Sequence, residues 1–454
     1  MLFEKKTYRY YYWLVLEFVK KHIKLILISF LLSFFFLIAA ISLSPYLDNF
    51  ISTKNEVIGM IGNYDYNNLS DDVLNKISNG LIVINEKGQI VPALASSWEL
   101  RDQGRRYRFH LKDNLFWDDG KKFTAYDIKY QFVDVEVKTI DDKTIDFSLK
   151  KILPIFPTYL KKQVIRYPLI GVAGLYKVDR TKTHFGNIAE INLAPNKKDQ
   201  PTITYKFYDN ETQLLTAYKR GEISEFTTAK KSIADGFSAW KNTTISKTTD
   251  YSTLLTLFFN FNNPALKEKE IRQAINMSMN PDQLKEFGEI ALGPIPPVSF
   301  AYNPDLKPAT YDPAAAEKII KKSTGSSESA KLNFTTYYDY LASADLVVGL
   351  LKRIGLNVDV KVVSFDRGND YDFLLAFWKV PFDPDQYYFW HSTQNQRNIS
   401  NYKNVKIDKL LEDGRSSLDP QDRKKIYFEY QRVMQDDPPA SFLYFPFVYN
   451  IKRK

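Results

Sequence analysis

The residue types that most often perform catalysis are present in this chain but are not spaced for it. The four histidines are His22, His110, His184 and His391, and none lies at a metal-binding spacing from another histidine or a glutamate. No zinc-protease helix motif, phosphate-binding loop, serine-hydrolase elbow or dinucleotide fingerprint is present. The chain has no cysteine, which excludes thiolate metal sites and cysteine nucleophiles. We therefore expect no catalytic residues, no metal site and no cofactor.

The acidic residues leave two chemical alternatives open. Carboxylates are plentiful, and carboxylates facing each other across a cleft would suit a glycosidase or a metallohydrolase. Nothing in the sequence pairs any two of them, so an extracytoplasmic hydrolase is the less favoured alternative to a binding protein. His110 on an alternating strand and His391 after an aromatic cluster are interpreted as structural, although His391 is close enough to aromatics to contact a ligand.

The positive charge of the chain is unevenly distributed. The formal net charge is +9, of which the first 24 residues carry +4 and residues 25–47 carry none. The other 407 residues hold only +5. Such a weak excess over a large surface does not support binding to nucleic acid.

The segment from Leu25 to Leu43 is uncharged and almost wholly apolar, which predicts a transmembrane signal-anchor helix. Lys20, Lys21 and Lys24 precede it, so the positive-inside bias places residues 1–24 in the cytoplasm and the main domain outside. Cleavage as a signal peptide is less favoured because no clear cleavage pattern follows the apolar run. A buried core helix is less favoured again because the segment lacks a polar face.

Short strands and amphipathic helices alternate through the rest of the chain, which predicts a mixed α/β protein in several lobes. Lys331–Thr336, about Leu341–Ile354 and Asn357–Val363 form a strand, a helix and a strand, so part of the sheet is parallel. Thr124-Ala-Tyr-Asp127 has the form of a capping box and predicts a helix to about Phe132. Arg272, beneath the predicted strand Phe259-Asn260, is expected in an internal salt bridge.

Several motifs in order along the chain resemble those of the family 5 extracellular solute-binding proteins, the dipeptide, oligopeptide and nickel binders of ABC importers. The resemblance covers roughly residues 56–445. It is carried by Asn79-Gly-Leu81, Lys87-Gly-Gln-Ile-Val-Pro-Ala-Leu-Ala-Ser-Ser-Trp98-Glu99, Tyr107 to Gly120, Phe123 to Asp127, Ile271 to Ile275, Gly293 to Pro297 and Asp408 to Leu411.

The resemblance implies a two-lobed periplasmic-binding-protein-like fold of type II with an extra small domain, following one N-terminal transmembrane helix. Hinges are implied near Thr256–Phe258 and Asp437–Pro439. The implied division is a cytoplasmic segment 1–24, a transmembrane helix 25–43, a linker 44–55, a discontinuous lobe I of 56–85, 166–256 and 440–454, the small domain 86–165, and lobe II of 257–439.

Three residues are implied as ligand contacts. Peptide binders of the family carry an aspartate shortly after a tryptophan that ends a cleft strand, and this aspartate pairs with the α-amino group of the peptide. Here Trp378 ends such a strand, but Asp383 follows about two positions later than the pattern requires. We expect Trp378 as a cleft wall, Asp383 as a charged contact, and Tyr64 at the end of the first strand as a third contact.

The resemblance therefore implies a membrane-anchored protein, without catalysis, that captures peptides or peptide-like solutes for an ABC permease and its ATPase. A ligand-sensing or docking ectodomain that imports nothing is the alternative. Its short cytoplasmic segment has no signalling domain, which argues against autonomous signalling.

Overall fold

The computed structural model describes residues 3–51, 55–85, 89–197, 199–324, 331–364, 368 and 370–454. Residues 52–54 of the predicted linker and Lys87 and Gly88 of the quoted motif lie outside the described residues.

One long N-terminal helix, α1 (Phe3–Ile51), contains the predicted apolar segment. It is long and apolar enough to cross a membrane, and none of its stretch Arg9–Ile38 is buried against the rest of the protein. His22 interrupts it with φ −113° and ψ 15°, outside the helical region. The sequence prediction of an apolar N-terminal helix is confirmed.

The first part of the chain after this helix alternates strands with short helices. In order these elements are β1 (Asn55–Ile61), α2 (Asp71–Ile77), β2 (Ile82–Ile84), β3 (Ile90–Pro92), β4 (Ala95–Arg101), β5 (Arg106–Leu111), β6 (Val135–Asp141), β7 (Thr144–Leu149), α3 (Phe156–Tyr159), β8 (Tyr176–His184), β9 (Asn187–Pro195), β10 (Thr202–Tyr208), α4 (Glu211–Arg220), β11 (Glu225–Thr228), α5 (Lys231–Phe237) and β12 (Thr243–Thr249).

The second part is richer in helices and ends on the longest of the described strands. Its elements are β13 (Thr253–Phe259), α6 (Pro264–Lys267), α7 (Lys269–Ser278), α8 (Pro281–Leu284), β14 (Gly288–Ile290), α9 (Pro313–Thr324), β15 (Leu332–Tyr337), α10 (Leu341–Arg353), β16 (Val358–Val363), β17 (Phe373–Lys379), α11 (Tyr387–Trp390), α12 (Val405–Ser416), α13 (Pro420–Asp436) and β18 (Ala440–Arg453).

Among the described residues, the strands form two large sheets that β18 joins into one twelve-stranded ladder, together with a four-stranded sheet and a two-stranded sheet. Sheet A has the order β11-β1-β10-β9-β8, and sheet B has the order β16-β15-β17-β13. Sheet C is the antiparallel set β4-β5-β7-β6, which covers its own apolar core, and β2 pairs with β3 beside it. The parallel pairing of β15 with β16 across α10 confirms the predicted strand–helix–strand crossover.

Strand β13 of sheet B is buried on both faces, whereas the edge strand β16 is largely exposed. Leu255, Leu257 and Phe259 face the core that includes α7 and α10. Leu254 and Phe258 point the opposite way, into a core shared with α12 and α13. This alternation follows the period of two of a strand, and a continuous apolar run is what a sheet covered on both faces requires.

Strand β18 belongs to both large sheets. Its beginning, Ala440–Tyr444, pairs with β13, and β14 pairs with its middle. Its end, from Phe447 on, pairs with β12 and β11 of sheet A. The two sheets are therefore joined through the interior of a strand.

The chain passes between the two large sheets at two places, and the hinge positions stay a prediction. One is Asp250–Ser252, which links β12 to β13, and the other lies in β18 near Pro446. The expected hinge Thr256–Phe258 lies inside β13, where strands on both sides hold it. The division into domains otherwise stays a prediction.

The capping box is confirmed, but the helix predicted after it is not present. Thr124 and Asp127 make both reciprocal bonds around a single 3₁₀ turn, Ala125–Asp127. Ile128 then leaves the helical region at ψ 116°. Ile128, Tyr130 and Phe132 pack into the core of sheet C, and this spacing of two suits extended chain, not helix.

The internal salt bridge expected of Arg272 is confirmed. Its guanidinium lies 2.7 Å from the Asp437 carboxylate and also donates to the Pro438 carbonyl at 2.8 Å. Burial acts to raise the pKa of Asp437, but Arg272 and the bonds from Asn404 and Tyr402 outweigh it and lower that pKa. The pair fixes the end of α13 just before β18 begins.

We expect Arg272→Met to lower the free energy of unfolding by about 3 kcal/mol, because it leaves a partly buried carboxylate without its cation. Adding Asp437→Asn should recover part of that loss in urea unfolding followed by tryptophan fluorescence. Since the folded state lowers the pKa of Asp437, its contribution is present above the ordinary value of 3.8 and is lost on further acidification. Equal losses in the single and double variants would contradict a coupled pair.

Candidate functional site

A solvent-open cleft of about 920 Å³ lies between two parts of the chain. Sheet A and the β2–β3 pair lie on one side, and the segment that follows β17 lies on the other. One wall comes from the loop and helix after β1 and from α3 with the residues after it. The other wall is Pro381–Asp385. The cleft is therefore lined from parts of the chain about 300 residues apart, as expected for a site between two halves.

Asp383 lines this cleft, but its carboxylate is already held by the protein. Arg423 of α13 donates to both carboxylate oxygens, at 2.7 and 3.1 Å. Burial alone would lower the pKa of Arg423, yet this bidentate bond outweighs it and raises that pKa. The Asp383 carboxylate in the cleft is therefore fixed in position, and Arg423 neutralises its charge.

Asp385 repeats the arrangement two residues further along. Its Oδ2 accepts from Nε and Nη2 of Arg415 on α12, at 3.0 and 2.9 Å. The Arg415 guanidinium in turn lies over the rings of Tyr387 and Tyr388, at 4.2 and 4.8 Å. Two helices of the second half thus fix the loop after β17 through arginine–aspartate pairs.

Aromatic faces and lysines supply the solvent-accessible part of the cleft. Phe382 is 46% exposed and Tyr159 of α3 is 38% exposed. The Lys161 ammonium lies 5.9 Å from the centre of the Phe382 ring, which brings the two walls together. Burial raises the pKa of Tyr159 to about 12, and Asp385 acts in the same direction from the facing wall.

Trp378 does not belong to the residues that line this cleft. It is 7% exposed, donates from Nε1 to Thr256 Oγ1 at 3.1 Å, and packs against Phe389 and Trp390. It supports the loop that begins at Val380 from within the core of sheet B.

Tyr64 lies beyond the end of β1 as predicted, with its ring against Phe207 and its hydroxyl donating to the Ile61 carbonyl. Burial raises the pKa of Tyr64, with a further contribution from Asp72. It is not among the residues that line the cleft. Its role as a ligand contact stays a prediction, as does that of Trp378.

Two of the four histidines, His110 and His391, have structural hydrogen bonds. His391 is 4% exposed, stacks on Tyr387 and hydrogen-bonds Thr393 and Glu412. His110 hydrogen-bonds Glu99 across neighbouring strands. Within the described ranges, no three metal-binding side chains of His, Cys, Asp or Glu come together.

Sequence reasoning missed the two arginines. A signal for one of them was available, because Arg423, Tyr427, Tyr430 and Met434 recur at helical spacing along α13. An arginine on the apolar face of a helix needs an acidic partner, since an unpaired buried charge is costly. That argument would have linked α13 to an aspartate, but not specifically to Asp383.

Comparison with known proteins gives a consistent family. The model of the bacterial extracellular solute-binding proteins, family 5, matches residues 89–400. The oligopeptide-binding protein AppA of Bacillus subtilis (strain 168) is 23% identical over 468 residues, covering 86% of this chain and 86% of AppA.

Solved structures share the fold. NikZ from Campylobacter jejuni, in complex with Ni(L-His), superposes with a TM-score of 0.72 at 21% identity, covering 88% of this chain and 94% of NikZ. AppA from Bacillus subtilis, in complex with a nonapeptide, gives 0.69 at 22% identity, with coverage of 88% and 94%. The α/β fold is that of the periplasmic binding proteins, preceded here by an apolar helix. The chain belongs to the bacterial extracellular solute-binding proteins, family 5.

Proposed function

We propose that this protein is a membrane-anchored solute-binding subunit of an ABC importer that captures peptides or peptide-like solutes and delivers them to a permease. The observation that carries the proposal is the open cleft between two halves that, in the described part of the chain, are joined by Asp250–Ser252 and by the interior of β18. Such a connection suits closure around a ligand and its later release.

The cleft suits a ligand of peptide size. Its volume of about 920 Å³ lies toward the upper end of the range for small-molecule sites. Phe382 and Tyr159 offer flat apolar faces that accept varied side chains. The relative AppA, an oligopeptide-binding protein whose structure holds a nonapeptide, supports peptides as the ligand class.

Charge selection in the cleft is expected to be moderate. Asp383 and Asp385 are each paired with an arginine, so a ligand ammonium near Asp383 would add to an existing ion pair. Lone pairs on the carboxylate oxygens remain for such a contact. Because Asp383 lines the cleft, we propose it as the residue that contacts the charged group of the ligand.

The helix α1 is proposed as an uncleaved anchor that crosses the membrane once, with Leu25 to Leu43 in the hydrocarbon layer. A length of 19 residues spans about 28 Å, close to the thickness of that layer. The N-terminus would lie in the cytoplasm and the two sheets outside. Because the chain has no cysteine, lipid modification of cysteine cannot supply the tether.

The same arrangement distinguishes an importer from its alternatives. The described hydroxyl–histidine–carboxylate contact, Thr393–His391–Glu412, is centred on a histidine that is only 4% exposed and is not among the residues that line the cleft. In the cleft, Asp383 and Asp385 are each neutralised by an arginine, which favours binding over hydrolysis. A sensor without transport would share the cleft, so dependence of peptide uptake on this chain and an ABC permease separates the two functions.

For a peptide that binds, N-acetylation should weaken the wild-type affinity about 10- to 100-fold, since it removes the ammonium that faces Asp383. Asp383→Asn should abolish this preference, as measured by calorimetry with free and acetylated peptides. Asp359→Asn, at a surface pair with Lys331, is the control and should keep the preference. Equal binding of both peptides by the wild type would contradict the contact.

The anchor is tested by fractionating cells that express the full chain. The mature protein should keep its full mass of 52.8 kDa and remain in the membrane after alkaline carbonate extraction. External protease should degrade the main domain and leave an N-terminal epitope protected. A shortened, soluble mature protein would show instead that the segment is a cleaved signal.

A further inference from the structure

One end of sheet A, here called the pole, lies at the start of β1. Asn55 of β1 pairs there with Thr202 of the parallel strand β10. The pairs Glu225–Lys452 and Thr243–Arg453 bring the starts of β11 and β12 and the end of β18 to the same edge. Helix α4 follows β10 and precedes β11, so its last turn also ends at the pole.

The pole is basic. Its exposed cations are Lys197, Lys219, Arg220, Lys241 and Lys454, and its exposed acids are Asp199 and Glu222. Lys452 bridges Glu56 and Glu225 at 2.8 and 3.0 Å, and the remaining negative charge of these three groups is balanced by the neighbouring Arg453. Arg220 and Glu222 form a pair at 3.7 Å, so the excess comes from the lysines. The domain outside the membrane has a charge of only +5, so the excess at the pole is a large share of it.

The anchor ends close to the pole. Helix α1 ends at Ile51 and β1 begins at Asn55. The eight helical steps from Leu43 to Ile51 and the four steps from Ile51 to Asn55 reach at most about 26 Å from the end of the predicted span. The headgroup layer takes up several ångströms of that distance. The pole is therefore the part of sheet A that is held beside the bilayer.

We propose that the pole docks on anionic lipid headgroups of the leaflet from which α1 emerges. This inference rests on the proposed membrane anchor. The reach of the linker lets the pole come into contact with the headgroups, where its lysines gain favourable electrostatic contact. Because salt screens the attraction over about 8 Å at physiological ionic strength, only a pole that touches the headgroups gains it.

Docking would set the orientation of the binding site. The cleft lies at the opposite end of β1, where Asn67–Leu69 follow the strand, about 23 Å from the pole for seven strand residues. A docked pole keeps the cleft in water above the headgroups, accessible to solute. Release of the pole would let the domain turn its cleft toward a permease.

The test uses the full chain in lipid nanodiscs with one environment-sensitive NBD label. The chain has no cysteine, so Asn242→Cys at the pole and Ala229→Cys, after β11 and away from the pole, give single labelling sites at exposed residues. With one-third phosphatidylglycerol, the label at position 242 should shift to the blue and gain protection from iodide. Both effects should disappear in 1 M salt or pure phosphatidylcholine, and the label at position 229 should show neither.

Charge reversal provides the matched comparison. Lys197→Glu, Lys219→Glu and Lys241→Glu together should abolish the shift of the label at position 242. Lys318→Glu, Lys352→Glu and Lys361→Glu, exposed on sheet B and its helices, change the net charge equally and should leave it intact. Equal loss in both triple variants would overturn the proposal.

A response that does not depend on anionic lipid or on salt would also overturn docking. Co-purification of the chain with the nanodisc reports the anchor separately. If the chain does not enter nanodiscs, the proposed anchor fails. If it enters and the label at position 242 does not respond, only the docking inference fails.

Discussion

The architecture depends on the hydrogen bonding of β18 to both large sheets. Because one strand of 14 residues completes sheet B at its start and sheet A at its end, neither sheet can slip in register without disturbing the other. The other link, Asp250–Ser252, runs beside it, and Asp250 N donates to the Pro446 carbonyl at 2.9 Å. Two adjacent connections leave the remaining surfaces of the halves apart, and that separation is the cleft.

Although the halves are separate over the rest of their surfaces, two arginine–aspartate pairs hold one wall of the cleft rigid. The loop after β17 would be a mobile connection by length alone, but Arg423 and Arg415 clamp its two aspartates from α13 and α12. Buried pairs of this kind contribute little net stability, yet they specify a conformation strongly when every donor is satisfied. The result is a pre-formed wall whose charge is neutralised, so that aromatic faces and backbone groups carry much of the recognition.

The sequence predicted local elements well where one strong signal dominated. The crossover around α10 was readable from the strand and helix patterns of Lys331–Val363, with alternating valines in its last strand. The helix after Thr124 was wrong because the burial of Ile128, Tyr130 and Phe132 overrode a correct capping box. The partners of Asp383 and Asp385 lie 40 and 30 residues away on helices, and no local pattern contains that pairing. The positions at which the chain passes from one sheet to the other depend on which strands pair, and sequence motifs of a family do not contain that information.

Native mass spectrometry of the full chain released from detergent tests the central claim most directly. Capture between the halves predicts that the purified protein carries a population of small solutes, and that denaturation releases peptides or peptide-like molecules in at most one-to-one amount. An empty protein that also forms no complex with a mixed library of short peptides would contradict peptide capture.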